Sequence, residues 1–181
     1  LEKAGFNVFY DDRLFAQHHQ FAGDETVRAA YIQDLLDNPE VKAIWCAHGG
    51  YGSARIIDRL DFSFFCQHPK WICGYSDVTV FHNHIHQNFD TATLHATMPI
   101  NVKKGQGQTP ATDSLIQALL GKPLCYHLPE HPLNRPGDVT APVVGGNLSM
   151  LYSLLGSPSD LNTDGKILFI EDLDEYLYHI D

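Results

Sequence analysis

The sequence is poor in the features that hold a polyanion or a bilayer. Lys and Arg number 12 against 22 Asp and Glu, a formal net charge of −10, so no general attraction to phosphate backbones or anionic lipid is available. Nucleic acid and membrane surfaces are therefore not expected as partners. No apolar run approaches the roughly 18 residues of a membrane span, and the opening LEKAGFNVFYDD lacks the basic and apolar regions of a signal peptide. Cysteine is scarce as well: Cys46, Cys66, Cys73 and Cys125 show no CxxC spacing. Cys46 and Cys73 fall in apolar runs where a thiol packs as a small hydrophobe. These absences lead to the expectation of an unexported, cytoplasmic protein with reduced thiols.

What is present is a soluble-globular composition, 181 residues with 44% hydrophobic and 19% charged, enough to bury roughly 70% of the extended surface. The ends read as cut. LEKAGFNVFY looks like the tail of a helix passing through Gly5 into a strand over residues 6–10, and KILFIEDLDEYLYHID is a strand followed by a helix start that stops in mid-pattern. An internal fragment of a longer protein is the expectation.

Between the ends the pattern is strand, turn, helix, repeated. Residues 24–36 have helical spacing, with Asp24 as N-cap and Val27, Ala30, Tyr31 and Leu35 on one stripe. VKAIWCA (41–47) is a continuous apolar run that suits a strand covered on both faces. It ends in His48-Gly49-Gly50-Tyr51-Gly52, followed by helix-like SARIIDRLD. Then KWIC (70–73) reads as a strand, Gly74-Tyr75-Ser76-Asp77 as a sharp turn and VTVFHNHIHQNF as a helix. Such alternation builds a parallel sheet with crossovers. Five prolines in residues 121–142 mark a linker. The division expected is an α/β unit over 1–120, a linker over 121–142, and the start of a second unit over 143–181. In that second unit Gly145-Gly146-Asn147-Leu148 opens a helix and GKILFIED returns as a strand.

Two segments could carry chemistry. A buried strand turning abruptly into a helix lifts Ser76 above the sheet, with the Asp77 amide placed to donate to an oxyanion. The alternative is that Ser76 only caps the helix, and the usual G-x-S-x-G spacing is absent. The segment His48 to Ser53 opens on the same sheet edge, where glycines admit a substrate to the main chain. It lacks the Gly-Lys-Ser/Thr of a phosphate loop and the G-x-G-x-x-G of a dinucleotide site, and it could be an ordinary glycine turn. Phe6, Phe9, Tyr10, Phe62, Phe64, Phe65 and Phe81 lie in apolar runs and are expected in the core.

CAHGGYGSARIIDRLDF, PKWICGYSDVT, LHATMP, PVVGGNLSML and ILFIEDLDE, in that order, resemble the LD-carboxypeptidases, serine peptidases that trim murein peptides in the bacterial cytoplasm. The resemblance runs over nearly the whole chain. It implies a flavodoxin-like, class I glutamine amidotransferase-like parallel sheet domain, then a second mixed α/β domain. It also implies Ser76 as nucleophile, Glu171 as the acid of a Ser-His-Glu triad, and the amides of Gly50 and Asp77 as the oxyanion hole. Asn147 resembles a residue lining the substrate pocket. The triad histidine of that family lies beyond the position of Asp181, so the fragment alone is expected to be inert.

Glu171 suits the acid's task, which is to orient an imidazole and stabilise its cation. Taken by itself it could equally be a solvated carboxylate in the run Glu171, Asp172, Asp174, Glu175. No metal or cofactor is expected: of His82, His84 and His86 only His82 and His86 share a helix face, and two ligands do not make a site. His95 is expected to pack. Ala96 and His48 depart from the glycine and arginine common at those positions in the family. The substrate implied is a small peptide, a murein tetrapeptide losing D-alanine, and a homodimer is implied by resemblance alone. The rivals are a microcin C self-immunity type of peptidase and a non-catalytic murein-peptide binding module. A glutamine amidotransferase is disfavoured because that chemistry puts a cysteine where Ser76 stands.

Overall fold

The apolar runs become strands only where a neighbour is there to pair with them. The computed structural model of the chain describes residues 1–102 and 108–181. Helix α1 (Glu25–Asp37) is followed by β1 (Ala43–Trp45), α2 (Ser63–Gln67), β2 (Trp71–Gly74), α3 (Thr79–Phe89) and β3 (Leu94–His95). The three strands lie in the order β1-β2-β3, both pairings parallel, with Ala43 opposite Trp71 and Cys73 opposite Leu94. After α4 (Pro110–Leu119), residues 121–142 contain no helix or strand and nearly all are exposed. A second parallel pair follows, β4 (Val143–Asn147) and β5 (Ile167–Glu171), with α5 (Leu148–Ser153) between them and α6 (Leu177–Ile180) after. The result is an α/β protein with parallel sheets. Among the described residues no helix is long and apolar enough to cross a membrane.

Several local expectations need correction. Residues 6–10 form no strand: among the described residues nothing pairs with them, and Val8, Phe9 and Tyr10 are exposed. Alternation alone does not satisfy backbone polar groups. SARIIDRLD is two 3-10 turns, Ser53–Arg55 and Ile57–Arg59, rather than a helix. Gly145 and Gly146 belong to strand β4; only Asn147 caps the helix, its side chain accepting the Met150 N–H. A Cβ on Gly145 would stand 1.9 Å from the Phe169 carbonyl oxygen and one on Gly146 2.5 Å from Thr79 Oγ1. These glycines let β4 lie close against both β5 and α3.

Asp24 caps α1 through Val27 N–H, but the face turned inward is Ala29, Ile32, Leu35 and Leu36, while Ala30 is exposed. The next layer decides which of two adjoining stripes is covered. Of the aromatics, Phe62, Phe65 and Phe81 are buried, Phe6 and Phe64 half-buried, and Phe9 and Tyr10 exposed. The main core joins Leu36, Ile44, Phe65, Ile72, Ile85 and Leu154, and the second pair of strands packs on the first unit with β4 and α5 against α3. Lys70 is buried, and its ammonium donates to the carbonyls of Leu35, Leu36 and Asn38 at 3.0, 2.6 and 2.8 Å. It supplies the donors that the free carbonyls at the end of α1 require.

Candidate active site

The elbow after β2 is strained at one residue. Ser76 has φ 61, in the left-handed region that a residue with a side chain seldom occupies. Its base is fixed by the Gly74 carbonyl, which accepts the Ala96 N–H and the His82 ring nitrogen Nε2, both at 3.0 Å. Ser76 opens a 3-10 turn, and neither that turn nor α3 begins with a side-chain cap. The capping alternative for Ser76 is therefore not what the fold uses. A strained serine raised at the carboxyl end of a buried strand is a geometry suited to a nucleophile.

The glycine loop after β1 meets this elbow. A Cβ on Gly49 would come within 3.0 Å of Ser76 Cβ and 3.1 Å of Ser76 Oγ, so any larger residue there would crowd the serine. Gly50 follows at φ 118, and His48 Nδ1 hydrogen-bonds the Gly49 carbonyl at 2.5 Å. Asp77 is buried, its Oδ2 accepting from the Ser53 backbone N–H at 3.0 Å and from Ser53 Oγ at 2.7 Å. Gly50 and Asp77, the two amide positions singled out in the sequence, thus lie on two loops tied to each other.

Glu171, at the end of β5, is opposite Asn147 in the last rung of the β4–β5 ladder. Burial and then the neighbouring Asp172 carboxylate raise its pKa, offset in part by the Asn147 side chain and the Ser76 backbone N–H. The fold therefore brings Glu171 to the elbow although the two are far apart in sequence. Its Oε1 is buried without a hydrogen-bond partner. Asn147 is committed locally: Oδ1 caps α5, Nδ2 donates to Asp172 Oδ1 at 3.0 Å, and its N–H donates to Thr79 Oγ1 at 3.0 Å.

Two members of this arrangement were not singled out in the sequence. Asp172 read only as part of an acidic run, yet it also accepts from Ser149 N–H and Oγ, and these bonds hold its pKa low against the upward push of burial. Ser53 read only as the end of a glycine turn. A hydroxyl three residues past a strand-end glycine pair was the available signal, but its partner could not be chosen from spacing.

His48 and His82 brace the glycine loop and the elbow through backbone carbonyls, and the others make their contacts elsewhere. His82 is buried and bonded to Gly74, and burial lowers its pKa to about 4. His84 bonds Ser159 Oγ, and His86 accepts from Lys166 Nζ. His95 is exposed but its ring packs edge-on to Phe169. Among the described residues no histidine hydrogen-bonds Ser76 or Glu171, and no three His, Cys, Asp or Glu side chains are grouped to hold a metal. A cavity of about 460 Å³ lies between α3 and the β4–β5 pair, lined by His82, Asn83, His86, His95, Val144 and Phe169 among others. Ser76, Gly50, Asp77 and Glu171 are not in its wall.

Comparison with known proteins adds the following. Residues 1–96 match the model of the LD-carboxypeptidase N-terminal domain and residues 140–181 that of the LD-carboxypeptidase C-terminal domain. A probable murein peptide carboxypeptidase of Bacillus subtilis (strain 168) is 40% identical over the whole of this chain and 58% of its own length. The crystal structure of muramoyltetrapeptide carboxypeptidase from Oxalobacter formigenes is 27% identical with a TM-score of 0.80, over 99% of this chain and 60% of that one. The microcin C7 self-immunity protein MccF, in its wild-type apo state, is 24% identical with a TM-score of 0.80, over 99% of this chain and 62% of its own, a likeness of fold. The chain spans about three fifths of the length of these proteins.

Proposed function

The chain belongs to the LD-carboxypeptidase family, and on that premise we propose that the natural protein carrying it is a serine peptidase. Its substrate is a murein tetrapeptide, and it cuts the amide between an L-configured centre and the terminal D-alanine. Ser76 Oγ attacks the carbonyl carbon, and the amides of Gly50 and Asp77 hold the oxyanion. Collapse breaks the C–N bond and releases D-alanine, its amine taking up the proton removed from Ser76; water then hydrolyses the acyl-enzyme. Glu171 orients the histidine that shuttles this proton, a residue we place outside the 181 and without which the chain alone turns over no substrate. Asn147 lines the substrate end of the site through its backbone and cap.

The observation that carries the reading is the meeting of a strained Ser76, φ 61, with the end of β5, where Glu171 lies opposite Asn147, whose N–H bonds Thr79 in the first turn after Ser76. The 40% identical Bacillus relative supports the murein substrate. With this we include a flavodoxin-like first domain over 1–120 joined through 121–142 to a second domain, a cytoplasmic location, and a homodimer. The MccF-like fold supports a second reading, an immunity-type peptidase acting on an aminoacyl-nucleotide amide.

The experiment is D-alanine release from murein tetrapeptide by the natural protein, beside its Ser76→Ala variant and a peptidyl-adenylate analogue. Release that vanishes in Ser76→Ala is expected. Turnover of the analogue alone would favour the second reading, and release surviving Ser76→Ala would refute both.

A further inference from the structure

We infer that the Asp77 side chain is a positioning residue which, through Ser53, sets the distance between the Gly50 amide and its own backbone amide. The inference rests on the serine-peptidase reading of the site and adds to it.

The loop after β1 is soft in itself. Gly49, Gly50 and Gly52 occur within four residues, and Gly50 and Gly52 have φ of 118 and 128, so the backbone there has few intrinsic constraints. Its far end is held twice. Arg28 Nη1 donates to the Gly52 carbonyl at 3.1 Å. Ser53 donates its N–H and its hydroxyl to Asp77 Oδ2, at 3.0 and 2.7 Å.

The two anchors differ in what they refer to. Arg28 belongs to α1, whereas Asp77 is the residue after Ser76. The Asp77 tie therefore fixes the loop relative to the elbow itself. One residue then serves both halves of the oxyanion site, its N–H as one donor and its carboxylate as the brace for the loop carrying the other.

The burial of this carboxylate is otherwise hard to explain. Asp77 is 7% exposed and Ser53 9%, and Asp77 Oδ1 is buried without a partner. A carboxylate taken out of water with donors on one oxygen only is costly, and an apolar side chain would fill the space at less cost. What the carboxylate adds is a short, directional pair of hydrogen bonds to the loop.

Displacing a reacting partner by about 1 Å costs on the order of 100-fold in rate, comparable to losing one oxyanion donor. The test uses the natural protein with a fluorophosphonate, which labels an activated serine whatever the natural substrate. Ser53→Ala, which keeps the N–H bond, is expected to lower the labelling rate about 10-fold, and Asp77→Leu, which is of similar shape but accepts neither bond, about 100-fold. Tetrapeptide kcat should fall in the same ratio with KM within about twofold, because the donors act on the transition state. Ser53→Thr, which retains the hydroxyl, should recover most of the rate, and Ser53→Ala should melt close to wild type.

Labelling of both variants at the wild-type rate, or a rise in KM at unchanged kcat, would overturn the inference while leaving Ser76 as nucleophile. A wild type that is labelled but inactive on tetrapeptide would fail the substrate proposal, and the labelling ratios would still decide the role of Asp77. A wild type that is not labelled would remove the reading of Ser76 and this inference with it.

Discussion

Asn147 and Glu171 face each other across the last rung of the β4–β5 ladder, and the N–H of Asn147 bonds Thr79, in the first turn of the helix that follows Ser76. The end of the second sheet is thereby fastened to the elbow of the first by one buried residue. This fastening explains how an acid on β5 comes to lie beside a serine after β2. It also explains why Glu171 is held where its charge is disfavoured.

Replacing Glu171 by Gln should therefore separate stability from activity. Its pKa is raised above 4.5, by burial first and by Asp172 second, so the folded state binds this proton more tightly than the unfolded chain. The resulting loss of stability sets in as pH rises from 4.5 through the folded pKa and is complete at neutral pH. Glu171→Gln should raise the melting temperature at pH 7, with the difference vanishing below pH 4.5. On the proposed role of Glu171 as the orienting acid, the same substitution in the natural protein should lower kcat roughly 10³- to 10⁴-fold. A melting temperature lowered at pH 7 would contradict this account of Glu171.

Gly145→Ala should be among the most damaging small substitutions in the chain. Its Cβ would stand 1.9 Å from the Phe169 carbonyl oxygen at a backbone φ of 126, and backbone cannot move aside as a flexible side chain does. A loss of about 3 kcal/mol is expected from the clash and the strained φ together. Gly156→Ala is the control: its φ is 73 but no atom lies within 4 Å of the added carbon, so about 1 kcal/mol should be lost. Denaturant unfolding of the two variants beside wild type checks the ranking, and equal losses would refute it.

Acidification should weaken the protein through His82. Burial lowers its pKa to about 4 from an ordinary 6.5, so the unfolded chain takes up the proton first as pH falls. Stability is thus full above pH 6.5 and declines down to about pH 4, by roughly 3 kcal/mol from this group. His95, His86 and Lys166 surround the same helix face and contribute their own dependence. The measurement is therefore a difference: His82→Gln should show a shallower fall in unfolding free energy between pH 6.5 and 4 than wild type, by about one proton. Parallel curves would mean that His82 is not the responsive group.

The sequence was most legible where one short segment contains its own instructions. A continuous apolar run ending in Gly74-Tyr75-Ser76-Asp77 and passing into a helical pattern gave β2, the turn and α3, and Asp24 gave the start of α1. Legibility failed where the outcome depends on a distant neighbour. Residues 6–10 alternate correctly but have no strand beside them among the described residues, and the covered stripe of α1 is set by the core and α2 packed against it rather than by the helix. Gly145 and Gly146 look like turn residues and are instead the places where two backbones nearly touch. In the site, Ser76 and Glu171 were visible through ordered motifs, whereas Ser53 and Asp172 were not, because a hydroxyl and an acidic run each have many innocent explanations. Their partners, Asp77 and Asn147, are chosen by folding and leave no trace in spacing.

The bond from Asn147 to Thr79 joins residues 68 apart in sequence, and this has a consequence for synthesis. On the ribosome Ser76 emerges, with its helix and its glycine loop, long before the strand that carries Glu171 has been translated. During that interval Thr79 lacks its partner and the elbow has nothing of the second sheet against it. The site is thus assembled late: its two halves can meet only after the chain has been made past Asn147 and β4 has docked onto α3.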